Sequence, residues 1–326
     1  MTRVAEISRI RFFFRRLDLT RRPYLPAIAV TLLLFVLNGF LQPKTLRPVA
    51  IVADISTYLP LILLAVGQTY VVLASDIDLS VGGIISLVNV VTVSVMAALG
   101  ESQGAIIAGI LVGLLVGIIC GGLNGFCVAV LRFQPIVSTF ASGIIFAGFA
   151  LWILPQAGLA APDAYWETYG DSLFGIPFVL WILVVMAVTV ALIAKLVFSR
   201  SLLAVGGNIQ SAYQSGLSVP RLRISAYILC GLFSATSALC LTGDTASGDP
   251  LLGAKMTLGS VAAVVLGGTA LSGGRGNPLG SIFGAIILGL IGSVVFFAGV
   301  PFEYQNLVQG LIVLAALAGG VTVARR

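Results

Sequence analysis

A chain of 326 residues that is 59% hydrophobic and only 9% charged is not a soluble domain, since soluble chains carry roughly 25% charged residues. It has no histidine, which excludes imidazole proton relays and histidine metal sites, and its four cysteines (Cys120, Cys127, Cys230, Cys240) lie in apolar segments without CxxC spacing, as inert buried thiols do. The net charge of +6 is distributed as in membrane orientation rather than nucleic-acid binding.

Residues 1–23 carry seven arginines with Phe12, Phe13 and Phe14 between them, and read as a basic cytoplasmic segment, either an interfacial helix or an orienting tail. The apolar run that follows ends without a small-x-small cleavage site, so a secretory signal is not expected. Ten apolar segments then predict a single membrane domain over 24–326: 24–40, 58–74, 81–98, 104–131, 136–155, 177–198, 223–242, 258–271, 278–298 and 303–323. The eighth is short and broken by glycine, as in a discontinuous helix, so eight to ten spans are expected in an all-α polytopic membrane protein. With both termini in the cytoplasm, fifteen of the 18 basic residues fall on the inner side and only Lys44, Arg47 and Lys255 on the outer. Asp163, Glu167 and Asp171 share one outer loop.

The fourth segment places Gly109, Gly113, Gly117, Gly121 and Gly125 on one helical face, which predicts close helix packing, within the chain in preference to a dimer seam. No GxxxxGK[ST] occurs, and the glycine-rich string at 267–280 lacks GxGxxG spacing, so neither nucleotide motif is present; it reads as a tight turn with Arg275 at its tip.

The longest inner polar interruption is 198–223. Gly206 and Gly207 are expected to break the preceding segment, Asn208 is a good N-cap, and Gly216 sits where a left-handed residue ends a helix, with Pro220 blocking continuation. The two turns between are too short to hold alone in water. Ile209, Ala212, Tyr213 and Gly216 share one stripe, expected to seat in a partner protein. In the turn before segment three, Asp78 or Ser80 is expected to cap the helix in preference to Asp76 and Asp78 forming a proton relay. Polar residues inside the spans, among them Gln68, Asn89, Asn124, Ser138, Thr139, Asn306 and Gln309, either line a path for a neutral polyol or bond helix to helix.

Three strings, 67–83 (GQTYVVLASDIDLSVGG), 204–218 (AVGGNIQSAYQSGLS) and 260–291, resemble the ribose-type permease subunits of bacterial ABC sugar importers, a group that includes autoinducer-2 permeases. The resemblance implies a second permease subunit, a cytoplasmic ABC ATPase that carries ATP and Mg, a periplasmic sugar-binding protein and the inner membrane. It implies no cofactor or catalysis on this chain and no nucleic-acid partner. It also implies that an EAA-x3-G pattern couples the permease to the ATPase; Gln210, Ser211, Ala212 and Gly216 match that spacing, with Gln for Glu and Ser for the first Ala. Ser75 and Asp76 replace two glycines usual in the family, and Thr257 stands where an acid is frequent. Two other classes stay open at this point: an ion-coupled secondary transporter using Asp76 and Asp78, and a membrane scaffold that moves no solute.

Overall fold

A computed structural model describes residues 24–100 and 102–324; the basic segment 1–23 and the C-terminal Arg325 and Arg326 lie outside them. The described residues are 78% helical: α1 (Leu25–Leu41), α2 (Pro48–Leu73), α3 (Val81–Ala98), α4 (Gln103–Ala129), α5 (Pro135–Ile153), α6 (Asp163–Gly170), α7 (Phe178–Lys195), α8 (Val197–Gly207), α9 (Ile209–Gln214), α10 (Val219–Thr245), α11 (Met256–Leu266), α12 (Pro278–Phe297) and α13 (Phe302–Ala324). Seven of these, α2, α3, α4, α5, α7, α10 and α12, are long and apolar enough to cross a membrane. α1 has 17 residues and α11 only 11, so the short eighth segment is confirmed as a half-length helix.

Helix ends follow local chemistry with two departures. The chain remains helical through Gly207 but is interrupted earlier, at Leu196, whose extended backbone separates α7 from α8. Pro220 does not stop a helix; it occupies the first turn of α10, where its missing N–H costs nothing, and α10 therefore starts four residues before the predicted segment.

α10 is the central helix, packed against α4, α2 and α3, with α12 seated between α1, α2 and α11. The glycine face of α4 makes this possible. A Cβ added to Gly117 would stand 2.6 Å from Ala235 Cβ, and one on Gly109 2.7 Å from Met96 Cγ. Gly121 meets the Tyr227 carbonyl, and Gly231 on α10 answers with Gly117 and Gly121. The glycine period is thus consumed inside the chain, where small residues let backbones touch. At one end of the bundle, two-residue strands β1 (Leu159–Ala160) and β4 (Ser247–Gly248) pair antiparallel, and β2 (Ser172–Leu173) pairs with β3 (Ile176–Pro177). α6 lies at that end. The opposite end holds the turn 74–80, α8, α9 and the glycine-rich loop 267–276.

Candidate functional site

The turn 74–80 joins α2 to α3 and binds a different element at almost every residue. Ser75 is left-handed, φ +68°, a conformation that costs an L-residue energy and is held here by its surroundings. Its hydroxyl lies 2.9 Å from the Gly206 carbonyl at the end of α8 and 2.8 Å from the Ser272 carbonyl in the glycine-rich loop. Beside it, Gly274 N–H donates to the Leu73 carbonyl at 3.1 Å. The loop can approach this closely because Gly273 and Gly274 adopt positive φ and have no side chains to meet Ser75 and Gly207.

Asp76 is buried and receives a bidentate pair from Arg223 in the first turns of α10, Nε at 2.8 Å and NH2 at 2.7 Å. Burial pushes the Asp76 carboxyl above its ordinary range, and the guanidinium pulls against that. Leu79 N–H donates to Thr139 Oγ1 at 2.9 Å, and Thr139 in turn donates toward Ile77 and Pro135, which ties the turn to α5.

Asp78 is fully enclosed. Its Oδ1 accepts from both the N–H (2.8 Å) and the hydroxyl (2.6 Å) of Ser80, and Ser80 Oγ accepts from Asn124 Nδ2 at 2.6 Å. Oδ2 has no partner among the described residues, and burial pushes the carboxyl up to about 6. The expected capping by Asp78 or Ser80 is therefore corrected. Ser80 occupies the N-cap position, but neither side chain receives the free N–H groups of α3: Asp78 Oδ1 turns back to the N–H and hydroxyl of Ser80. The Gly82 N–H donates instead to Thr257 Oγ1 at 3.1 Å, a cap delivered from the α11 end.

α9 matches its expectation closely. Asn208 Oδ1 accepts from Ser211 N–H at 2.8 Å, and Gly216 has φ +82° with its N–H donating to Tyr213 O at 2.9 Å. The predicted stripe divides, however. Tyr213 is 72% exposed and Ile209 44%, with Gln210 and Gly216 also exposed, whereas Ala212 is buried against Val205 and Val219. Ala212 faces its own chain because α9 has to pack on something to exist at six residues. Gly207 is exposed, with open space where a Cβ would stand and Gly274 against its backbone.

Of the residues proposed to line a path, four are sealed inside the chain. Asn89 donates to Thr242 Oγ1 (2.7 Å) and the Ser247 carbonyl (3.1 Å) and accepts from Asp249 N–H. Asn124 and Thr139 serve the turn, and Gln68 Oε1 lies 3.6 Å from Cys230 Sγ. Ser138 is half-buried, Gln309 is half-buried and 3.4 Å from the Leu288 carbonyl, and Asn306 alone of the seven is exposed. The reading of these polar groups as interhelical bonds holds for Asn89, whereas Asn124 and Thr139 bond a helix to the turn 74–80. A cavity of about 370 Å³ lies elsewhere, between α4, α6, α7 and α10, lined by Gln103, Ile106, Ile110, Tyr165, Tyr169 and Leu239. It contains none of the seven.

Sequence reasoning did not find Arg223, Ser272 or the capping role of Thr257. A signal existed for Asp76 and Ser75: a carboxylate and a hydroxyl where the resemblance leads to glycines.

Residues 50–317 match the family model described as branched-chain amino acid transport system / permease component. The chain is 36% identical over 306 residues to the ribose import permease protein of Bacillus subtilis (strain 168), covering 90% of each chain. It is similar to the autoinducer 2 import system permease protein of Escherichia coli O9:H4 (strain HS), 32% identical over 293 residues covering 89% of this chain and 84% of that one. To the L-arabinose ABC transporter permease protein of Azospirillum brasilense it is 30% identical over 292 residues, covering 89% and 85%.

Proposed function

The chain belongs to this permease-component family, on its ribose-type sugar-importer side, and we propose that it is the transmembrane subunit of an inner-membrane ABC importer carrying a sugar or similar small polar solute from periplasm to cytoplasm. A second permease subunit, a cytoplasmic ATPase and a periplasmic binding protein complete the machine. ATP and Mg are held and hydrolysed on the partner, and this chain supplies no covalent chemistry. The ten-segment topology with cytoplasmic termini, 1–23 as a basic inner segment and 24–326 as the permease domain, is part of the same reading.

The observation that carries it is α9: a capped helix of six residues whose Tyr213 and Ile209 stand exposed, with 198–223 as the coupling loop. Gly207, Asn208, Gln210, Ala212 and Gly216 shape that helix, and Tyr213 and Ile209 are the surface offered to the ATPase. Coupling requires that this surface contact the two nucleotide states of the ATPase differently. Asn306 is the path residue that remains available to solute, and four of the other six are enclosed within one chain. The path then runs between two permease subunits and not through one.

Tyr213→Asp tests the reading, because an exposed position tolerates the charge while a docked one does not. The expected outcome is a variant that inserts and melts like the parent but loses stimulated ATP hydrolysis in the reconstituted complex by about tenfold or more. Unchanged stimulation sinks the proposal. The ion-coupled alternative is disfavoured because Asp76 is engaged with Arg223 and Asp78 with Ser80. Uptake that survives without any ATPase and collapses with the proton gradient would revive it.

A further inference from the structure

We propose that Ser75 and Asp76 form a two-residue clamp that holds both feet of the coupling loop to the end of α2, and that displacement of α9 reaches the membrane helices through it. The inference rests on α9 being the element that meets the ATPase, and adds how its movement is relayed.

The geometry is specific. The upstream foot of the loop is the end of α8, where the Gly206 carbonyl meets the Ser75 hydroxyl at 2.9 Å. The downstream foot is the start of α10, where Arg223 grips Asp76 through two bonds of 2.8 and 2.7 Å. Two adjacent residues therefore bind the chain on either side of α9. The helix itself packs on α8 and the start of α10 through Ala212, Val205 and Val219. Within the next six residues the chain leaving the clamp is bonded to α5 by Thr139, to α4 by Asn124 and to α11 by Thr257. A shift at the feet is thus distributed to three helices, α4, α5 and the half-length α11, over a very short path.

The chemistry suits a relay better than a stability device. A buried ion pair roughly breaks even with an apolar pair of the same size, so what it adds is geometry. The planar guanidinium fork fixes both the separation and the angle between α10 and the turn, which a single bond to an ammonium would leave free. Ser75 points the same way: a left-handed residue other than glycine is tolerated where its side chain makes a bond that glycine lacks.

Two mild substitutions separate relay from folding. Ser75→Gly relieves the left-handed strain as it removes the hydroxyl, and Arg223→Lys keeps the charge as it removes the fork. Amide hydrogen exchange is measured on the permease–ATPase complex in nanodiscs, with and without Mg-ATP and vanadate. In the unsubstituted complex, nucleotide is expected to alter exchange both at 209–217 and at 76–82. In each variant the response at 209–217 persists and the response at 76–82 falls by about fivefold or more. An undiminished response at 76–82 in both variants overturns the clamp while leaving the coupling helix intact. No nucleotide effect on 209–217 in the unsubstituted complex overturns the coupling reading, and the clamp falls with it.

Discussion

The chain has two long polar interruptions, and they are fastened in opposite ways. The segment 154–177 is held at one end of the bundle by backbone pairing of β1 with β4 and by neutral contacts such as Tyr165 OH to the Leu239 carbonyl, 2.8 Å. Its charged residues, Asp163, Glu167 and Asp171, are all exposed, and their side-chain bonds reach no farther than Trp166 and Ser172. At the opposite end, 198–223 is held by the pair of half-buried Arg223 with buried Asp76 and by a hydroxyl set in a left-handed residue. Backbone pairing fastens a loop whatever its side chains are. Buried polar side chains fasten it at one distance and one angle, and leave an unpaired group behind when either partner is lost. The first arrangement holds a surface in place; the second can carry a displacement.

The largest test of this contrast is Arg223→Met. Removing the guanidinium strands the Asp76 carboxylate, 3% exposed, and is expected to cost about 3–5 kcal/mol at pH 7, read as a drop in the detergent melting midpoint. Part of that loss should return on acidification, as Asp76 takes up a proton and ceases to be a buried charge. A loss below about 1 kcal/mol would place this pair with weak surface bridges and erase the contrast.

Asp78 gives a second test with a defined sign. Its folded carboxyl is pushed up to about 6 by burial, so between roughly pH 4 and pH 6 the folded chain keeps a proton that the unfolded chain releases. Stability therefore falls as pH rises through that window and is flat above it, by roughly 3 kcal/mol in total. Asp78→Asn keeps an oxygen for the Ser80 bonds and removes the titration. Its melting advantage over the parent should grow from pH 4 to pH 6 and then level; parallel curves would show that Asp78 does not titrate there.

The smallest test compares the two interruptions directly. Asn208→Ala removes the α9 cap and should cost about 1 kcal/mol locally, seen as faster amide exchange over 209–215. Glu167→Gln on α6 should change stability by less than about 0.5 kcal/mol, since it disturbs no buried partner.

What could be read in advance sorts by distance along the chain. The α9 cap and its glycine stop were legible, because Asn208 and Ser211 are three residues apart and local rules govern them. The glycine face of α4 was legible as a period of four, and its partners proved to be α3 at Gly109 and Gly113 and α10 at Gly117, Gly121 and Gly125. Pro220 was misread because proline is equally at home just after one helix and in the first turn of another, and only the start of α10 decides between them. The Asp76–Arg223 pair spans 147 positions and the Ser75–Ser272 contact 197, and no local preference encodes which arginine or which carbonyl comes to meet them. Ala212 shows the same limit at short range: a helical stripe says which residues share a face, and tertiary packing says which neighbour that face serves.

The crossing of α4 and α10 has a mechanical consequence. Gly117 and Gly121 lie against Gly231 and the Tyr227 carbonyl, main chain on main chain, with a Cβ built on Gly231 falling 3.1 Å from the α-carbon of Gly121. Glycine backbone has no rotamers to exchange, so the shape of this crossing is set by the main chain itself. The contact therefore fixes the line of α10 between Arg223 at one end of the bundle and the far end, where Asn89 bonds the Ser247 carbonyl and the Asp249 N–H.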